Sequence, residues 1–381
     1  MAQHKVFFFI KSYFRDRQWD TVKAVNEYLH EKYRVITPKG TNQAGSLQIV
    51  KYHGSILGRL KSKVVSKIPL INLRKLPEES RDCEFIYTFG YIPWPLRAKY
   101  IIEFDNPYVV TFYNKSAFEI YEPILNYFFE RSYKLTFMSK TALEHFSMET
   151  KEKFRNKSYV IYPFVKRFYT KRQKKINKKR IVFTFAGFDF KGKGGIELLK
   201  AFNAVKNKNI ELHIFSKVPQ EITENLRDER IVVYEPVPRE QLINHLVTST
   251  DVVVLPTLFE SFLLVGLEAL ACGCGLILTN VYGTKEMVEH GRNGILLNHP
   301  ILSSVNYNGY EFINNVIYRI EDFKKAFLNR NSFFESLYQE LITAIERAID
   351  EYKNWQKESI EIYEQRFSED IWIENFKKVL S

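Results

Sequence analysis

Two glutamates, Glu260 and Glu268, enclose seven residues in a passage from strand to helix. An apolar run, Val252 to Leu255, ends at Pro256-Thr257, and a polar bend holding Glu260 and Ser261 follows. A second apolar segment opens with Gly266 and continues as helix through Glu268 to Cys272. Gly273 and Gly275 stop it before the run Leu276 to Leu278. A strand–loop–helix–strand unit of this kind builds a parallel sheet that binds ligands at its strand C-termini. Two carboxylates beside a helix N-terminus able to hold an anion suit a ligand carrying both hydroxyls and phosphate. A carboxylate accepts from two neighbouring hydroxyls at once, which an amide does less well. A second candidate is the Gly/Lys loop Gly187 to Gly195, with Lys191 and Lys193 ahead of a helix. It is no P-loop, since the Walker spacing and its Ser/Thr are absent. Against these readings stand the ordinary ones: a helix-start Glu favoured by the dipole, and a surface turn.

Two series of strands and helices must position these groups. The first opens with the strand Lys5 to Ile10 and a helical pattern over Asp20 to Tyr33, where Val22, Val25, Leu29 and Tyr33 recur at helical spacing. Strands are expected at 33–37, 47–52, 83–89, 100–104, 134–138 and 158–162, with an extended stretch at 108–112. Helices are expected at 117–131 and from an N-cap at Ser139 through Phe154. Lys166 to Arg180 is dense in Lys and Arg, without glycine, and reads as a linker. The second series then alternates: strands 181–186, 210–215 and 231–234, helices 195–205, 220–226 and 239–247, and the passage described above. Beyond Leu297 helices are expected at 334–352 and 355–366. Two Rossmann-like α/β halves joined by a linker follow from this order.

Length and composition agree. At 381 residues two domains of ordinary size are the natural division. No apolar stretch approaches the roughly 20 residues that span a bilayer. The N-terminal run turns charged at once and lacks a small-residue cleavage site, so it reads as a buried strand rather than a signal peptide. Cys83, Cys272 and Cys274 do not make a disulfide framework or a zinc site, and a reducing, cytoplasmic setting is the simplest expectation. The net charge of +12 asks for an anionic partner. Its clusters, 59–75 and 166–180, resemble no named nucleic-acid module, and nucleic acid is not expected. In 59–75 basic and aliphatic residues interleave, which suits peripheral contact with the inner face of an anionic membrane as well as it suits a solvated loop.

The residues also carry a resemblance. The context Phe259-Glu260-Ser261-Phe262 … Leu267-Glu268-Ala269-Leu270-Ala271-Cys272-Gly273 is similar to the E-x7-E signature of retaining nucleotide-sugar glycosyltransferases of the glycogen-synthase-like family 4, and Glu286 … Gly291 … Asn293-Gly294 resembles that family's next segment. The resemblance implies the GT-B fold: two Rossmann-like domains facing each other across a cleft, with a C-terminal helix returning to the first. It divides the chain into an acceptor-side domain 1–165, a basic linker 166–180, a nucleotide-sugar domain 181–355 and returning helices 356–381. It implies transfer of a hexose from a UDP- or GDP-sugar, without a metal or other cofactor, to a glycan or lipid-linked acceptor in surface polysaccharide or glycoconjugate synthesis. The rivals are a soluble synthase with a small phosphorylated acceptor, and a non-catalytic sugar- or nucleic-acid-binding protein of the same fold.

Residue by residue, the resemblance gives Glu268 the ribose hydroxyls and Glu260 the positive charge that develops at the donor's anomeric carbon. Lys193, in the matching Lys-Gly pair, takes the diphosphate, where a cation stabilises the leaving group; Lys191 is a second charge nearby. Phe262 and Leu263 fall on the donor side, and Tyr234 and Val237 where the family's loop meets the base. Glu286 falls near donor or acceptor. The first half departs from the pattern: its first loop, Lys11-Ser12-Tyr13-Phe14, has no glycine, and the family's usual His is replaced by Glu103-Phe104-Asp105, leaving Asp105 or Glu103 to serve. That triplet also mimics the acidic motif of metal-dependent GT-A enzymes, but the rest of the chain does not fit that fold. His53, His145, His245 and His290 lack metal-ligand spacing.

Overall fold

A computed structural model describes residues 3–10, 13–40, 42–43, 68–168, 180–300 and 333–381. The chain forms two compact units, residues 1–165 with 369–381, and residues 166–368.

In the first unit the elements are β1 (His4–Phe9), α1 (Asp16–Tyr28), β2 (Tyr33–Ile36), β3 (Leu73–Lys75), β4 (Phe85–Phe89), β5 (Ile92–Trp94), β6 (Lys99–Phe104), α2 (Lys115–Ile120), α3 (Glu122–Arg131), β7 (Lys134–Phe137), α4 (Lys140–Glu149) and β8 (Ser158–Val160). Six strands form one sheet in the order β8-β7-β6-β4-β1-β2, and β3 pairs with β5 in a separate ribbon. Every pairing is parallel, for example Phe9 opposite Thr88 and Phe89 opposite Glu103. A parallel sheet covered on both faces has near-continuous apolar strands; Val6, Phe7 and Phe8 are all fully enclosed.

The second unit has β9 (Ile181–Ala186), α5 (Gly195–Ala204), β10 (Ile210–Phe215), α6 (Gln220–Thr223), β11 (Ile231–Tyr234), α7 (Arg239–Thr248), β12 (Val252–Leu255), α8 (Leu264–Ala271), β13 (Gly275–Thr279), β14 (Gly294–Leu297) and α9 (Glu335–Arg366). Its sheet, also parallel, runs β11-β10-β9-β12-β13-β14. The strand order reverses between β9 and β12, and the loops that leave a sheet at such a point enclose a crevice.

The terminal helix α10 (Glu369–Leu380) belongs to the first unit. Trp372, Phe376, Val379 and Leu380 enter the same apolar core as Val6, Phe8 and Tyr87. Tyr28 donates a 2.6 Å hydrogen bond to Glu369, and Tyr33 donates to the carbonyl of Leu380.

Several local expectations change. The two helices expected at 334–352 and 355–366 are one, α9, and the boundary read at 355/356 falls inside it. Nothing breaks the helix there because Trp355 and Gln356 continue its buried stripe. Gln356 donates to both the carbonyl and the carboxylate of Asp251, at 3.1 and 3.0 Å. The helix expected over 117–131 is interrupted at Tyr121, two residues before Pro123, whose ring cannot continue the preceding hydrogen-bond ladder. Residues 107–111 are a 3₁₀ turn rather than extended, since the Asn106 side chain caps the amide of Tyr108. The helix after Ser139 ends at Glu149, where Lys151 and Glu152 take left-handed backbone. Residues 282–287, which hold Glu286, form a 3₁₀ turn. The expected strand 47–52, most of both basic clusters and residues 301–332 lie outside the described residues.

Candidate functional site

The loops after β9 and β12 leave adjacent strands at the point where the second sheet reverses. Their conformations are locked to each other. Asp189 accepts from the amide of Gly192 at 3.1 Å, and its carbonyl accepts from the amide of Lys193 at 2.9 Å. The carbonyl of Gly192 then accepts from the amide of Leu258. Gly194 has φ +72°, and a Cβ there would lie 2.2 Å from the carbonyl oxygen of Pro256. Only glycine permits both that backbone and that approach. His299, buried after β14, holds the carbonyl of Leu258 at 2.9 Å from its Nε2, and burial lowers its pKa.

This docking brings together the two groups expected to act on the donor. The Lys193 ammonium lies 2.5 Å from a carboxylate oxygen of Glu260 and 3.4 Å from the carbonyl of Phe259. The other Glu260 oxygen accepts from the amide of Ser261. Both side chains are mostly shielded, so the pair is stronger than a surface ion pair and still open to exchange with a ligand. Lys191 is half-buried and makes no side-chain ion pair among the described residues.

Glu268 lies in the second turn of α8 and is almost wholly buried. Its carboxylate accepts a charge-assisted hydrogen bond from Nε of Arg239, the first residue of α7. A buried carboxylate needs such a partner. Arg239 was not singled out in the sequence, although it carries a signal: a cation at a helix N-terminus opposes the dipole and calls for a nearby anion. Phe262 and Leu263 have buried side chains, and the Leu263 carbonyl accepts the first amides of α8. Tyr234 ends β11; its ring stacks on Phe215 at 4.6 Å and is partly exposed, while Val237 is half-buried in the following loop. Two further groups had no sequence signal. The hydroxyls of Ser216 and Thr279, at the C-terminal ends of β10 and β13, are buried and unpaired among the described residues. Such orphan hydroxyls suit a ligand with polar atoms.

In the first unit, Glu103 is committed to the fold. It pairs with Arg17 and accepts from the Tyr87 hydroxyl at 2.8 Å. Asp105, just past β6, accepts from the Tyr113 hydroxyl at 2.7 Å through one oxygen. Its other oxygen is enclosed without a partner among the described residues. Burial raises the Asp105 pKa, opposed by the Tyr113 hydrogen bond and by the charges of Arg17 and Arg15. Between the two acids that the sequence left open, Asp105 alone keeps an uncommitted oxygen. His145 is buried against Tyr108, and His245 sits 3.0 Å from His213. No group of three His, Cys, Asp or Glu able to hold a metal occurs among the described residues.

Residues 179–302 match the family described as glycosyl transferases group 1. Over 54 residues the chain is 52% identical to a D-inositol 3-phosphate glycosyltransferase of Paenarthrobacter aurescens (strain TC1), which covers 14% of this chain and 13% of that protein. Over 126 residues it is 28% identical to an uncharacterized 41.2 kDa protein in the cps region of Klebsiella pneumoniae, covering 33% and 35%. Among solved structures, HepE of Anabaena in complex with UDP and glucose aligns with 100% of this chain and 99% of its own, at 14% identity and a TM-score of 0.60. Sucrose-phosphate synthase of Thermosynechococcus elongatus aligns over 99% and 98%, at 14% identity and a TM-score of 0.62. WaaG, a glycosyltransferase involved in lipopolysaccharide biosynthesis, aligns over 98% of each chain, at 14% identity and 0.55. These likenesses extend over both units and show the GT-B fold. Over residues 179–302, about a third of its length, the chain is thus similar to the glycosyl transferases group 1 family.

Proposed function

We propose that the chain is a retaining glycosyltransferase that moves a hexose from a nucleoside diphosphate sugar to a glycan or lipid-linked acceptor in cell-surface glycoconjugate synthesis. The observation that carries this reading is the Lys193–Glu260 pair at the reversal point of the second sheet, beside the start of α8. Lys193, with Lys191 as a second charge, takes the diphosphate of the donor. Glu268, oriented by Arg239, takes the ribose hydroxyls, and Tyr234 and Val237 border the base. Uracil is the first base to test, because HepE was solved with UDP and glucose.

As the bond between the anomeric carbon and the phosphate oxygen breaks, negative charge grows on the diphosphate and positive charge at the sugar. Lys193 and Glu260 meet these two charges respectively. The acceptor oxygen bonds to the anomeric carbon on the face the diphosphate leaves, so configuration is retained. Its proton passes to Asp105 in this reading, with no metal taking part. A small phosphorylated acceptor is the second reading, favoured by the D-inositol 3-phosphate glycosyltransferase named among the relatives.

A thermal-shift screen against UDP-, GDP- and ADP-sugars, followed by donor hydrolysis, tests the proposal. One donor at about 100 times its Kd should stabilise by roughly 2.7 kcal/mol, and excess chelator should leave turnover nearly intact. Stabilisation by none of them, with no hydrolysis, would remove the catalytic reading. Complete loss with chelator, restored by manganese, would remove metal independence.

Asp105→Asn should lower kcat by about 10²–10⁴, the range for a general base, while UDP affinity stays at the parental value. A base must be ionised, so parental activity should fall as pH drops through the Asp105 pKa, which burial sets above its ordinary value. Equal kcat in both enzymes across the pH range would assign the proton to another group.

A further inference from the structure

Large apolar side chains are exposed very unevenly. Among the described residues, nine of the ten such residues are in the first unit, and Tyr234 is the tenth. One set lies along α2 and α3: Ile120 is 61% exposed, Ile124 47% and Tyr127 46%. Within α3, Ile124, Tyr127 and Arg131 recur at three and four residues, the spacing of one helical face, and Ile120 ends α2 just ahead of them. The Arg131 guanidinium sits 3.6 Å over the Tyr127 ring, so the stripe ends in a cation held flat on an aromatic. The other set belongs to the β3–β5 ribbon and the residues before it: Ile68, Leu70, Leu73 and Trp94. The two sets are tied together. The Tyr121 hydroxyl donates to the carbonyl of Pro69 at 3.1 Å, and the Arg74 guanidinium lies 5.5 Å from the centre of the Phe112 ring.

Cations accompany this surface. Arg74 and Lys75 follow the exposed Leu73 in the ribbon, and Arg97 is exposed just beyond Trp94. On the helical side Glu119 is matched by Lys115 and Glu122 by Lys153, at 3.7 and 3.6 Å. A contiguous exposed apolar surface marks an interaction site. Aliphatic residues beside Trp and Tyr, interleaved with Lys and Arg, have the composition of a surface that lies at a bilayer interface. The apolar groups enter the acyl boundary, while the cations extend to lipid phosphates.

We propose that this face of the first unit docks on an anionic lipid surface. The proposal is independent of glycosyl transfer, because vesicle binding is measured without donor or acceptor. The experiment is co-sedimentation of the full chain with phosphatidylcholine vesicles, with and without phosphatidylglycerol. The parent should partition onto the anionic vesicles and much less onto the neutral ones. Ile120→Ser/Ile124→Ser/Trp94→Ser should lower partitioning at least about tenfold, from the apolar area it removes. Arg74→Gln/Lys75→Gln should lower it on anionic vesicles alone, by about fivefold for each cation near the surface. All replaced groups but Arg74 are exposed, so circular dichroism and the thermal shift with UDP should match the parent. Should Trp94→Ser disturb the fold, Ile120→Ser/Ile124→Ser alone keeps the test on the helical stripe. No partitioning by the parent, or equal partitioning by parent and variants, would overturn the proposal. So would a dimer in sedimentation velocity that the apolar variant dissociates, since the face would then be covered by a second copy.

Discussion

Lys193→Ala should lower kcat by about 10²–10³, the scale for losing one preorganised charge-stabilising group. It should also raise the donor KM, because the bound diphosphate is already anionic before the bond breaks. The ion pair sharpens the expectation. Lys193 lies 2.5 Å from Glu260, so its removal leaves that carboxylate mostly shielded and without its cation, next to where the proposed donor phosphates would lie. The repulsion adds to the lost attraction. Glu260→Gln keeps the shape and removes the charge; kcat should fall while nucleotide affinity changes little, since Glu260 is assigned to the transition state. Groups in contact do not act additively. Lys193→Ala/Glu260→Gln should therefore bind UDP better than Lys193→Ala alone, although its kcat is no higher. Steady-state kinetics with calorimetry of UDP binding checks all three. Near-parental kcat in Glu260→Gln, or additive losses in the double variant, would reduce the pair to a brace between two loops.

The second large effect is expected at Arg239. Arg239→Ala removes the guanidinium that faces Glu268, whose carboxylate is only 2% exposed. Breaking a buried ion pair from one side costs more than the pair itself contributes, because the remaining charge is left out of water. Arg239 keeps some contact with solvent, so the cost should sit at the low end, about 3 kcal/mol. For a unit of this size that is a fall in Tm of about 6–12 °C. On the proposed role of Glu268, UDP affinity should fall as well, since the carboxylate that would meet the ribose loses its fixed orientation. Arg239→Lys should recover part of the stability through charge, without the planar guanidinium geometry. The decisive comparison is Arg239→Ala/Glu268→Gln. With the buried carboxylate neutralised, much of the lost Tm should return, while UDP affinity stays low for want of the carboxylate. Recovery of both, or loss of neither in Arg239→Ala, would separate Glu268 from the nucleotide.

The alternation of strands and helices could be read from residue order because it rests on local period. An enclosed strand such as Val252–Leu255 is a short apolar run closed by Pro256, and a glycine stop such as Gly273 ends a helix through its own backbone. The Gly/Lys loop and the two glutamates were legible for the same reason: their spacing is short and their backbone demands are local. Tertiary structure decided what depends on residues far apart in sequence. It set β9 beside β12, and thereby brought Lys193 to Glu260 across 67 positions. It supplied Arg239 as the partner of Glu268, and it committed Glu103 to Arg17 and Tyr87 while leaving one oxygen of Asp105 unpaired. It also kept α9 unbroken through Trp355 and returned α10 to the first core. A side chain's period records which face it turns inward. Which distant group meets it there is settled only when the whole chain has packed, because burial makes a partner obligatory without naming it.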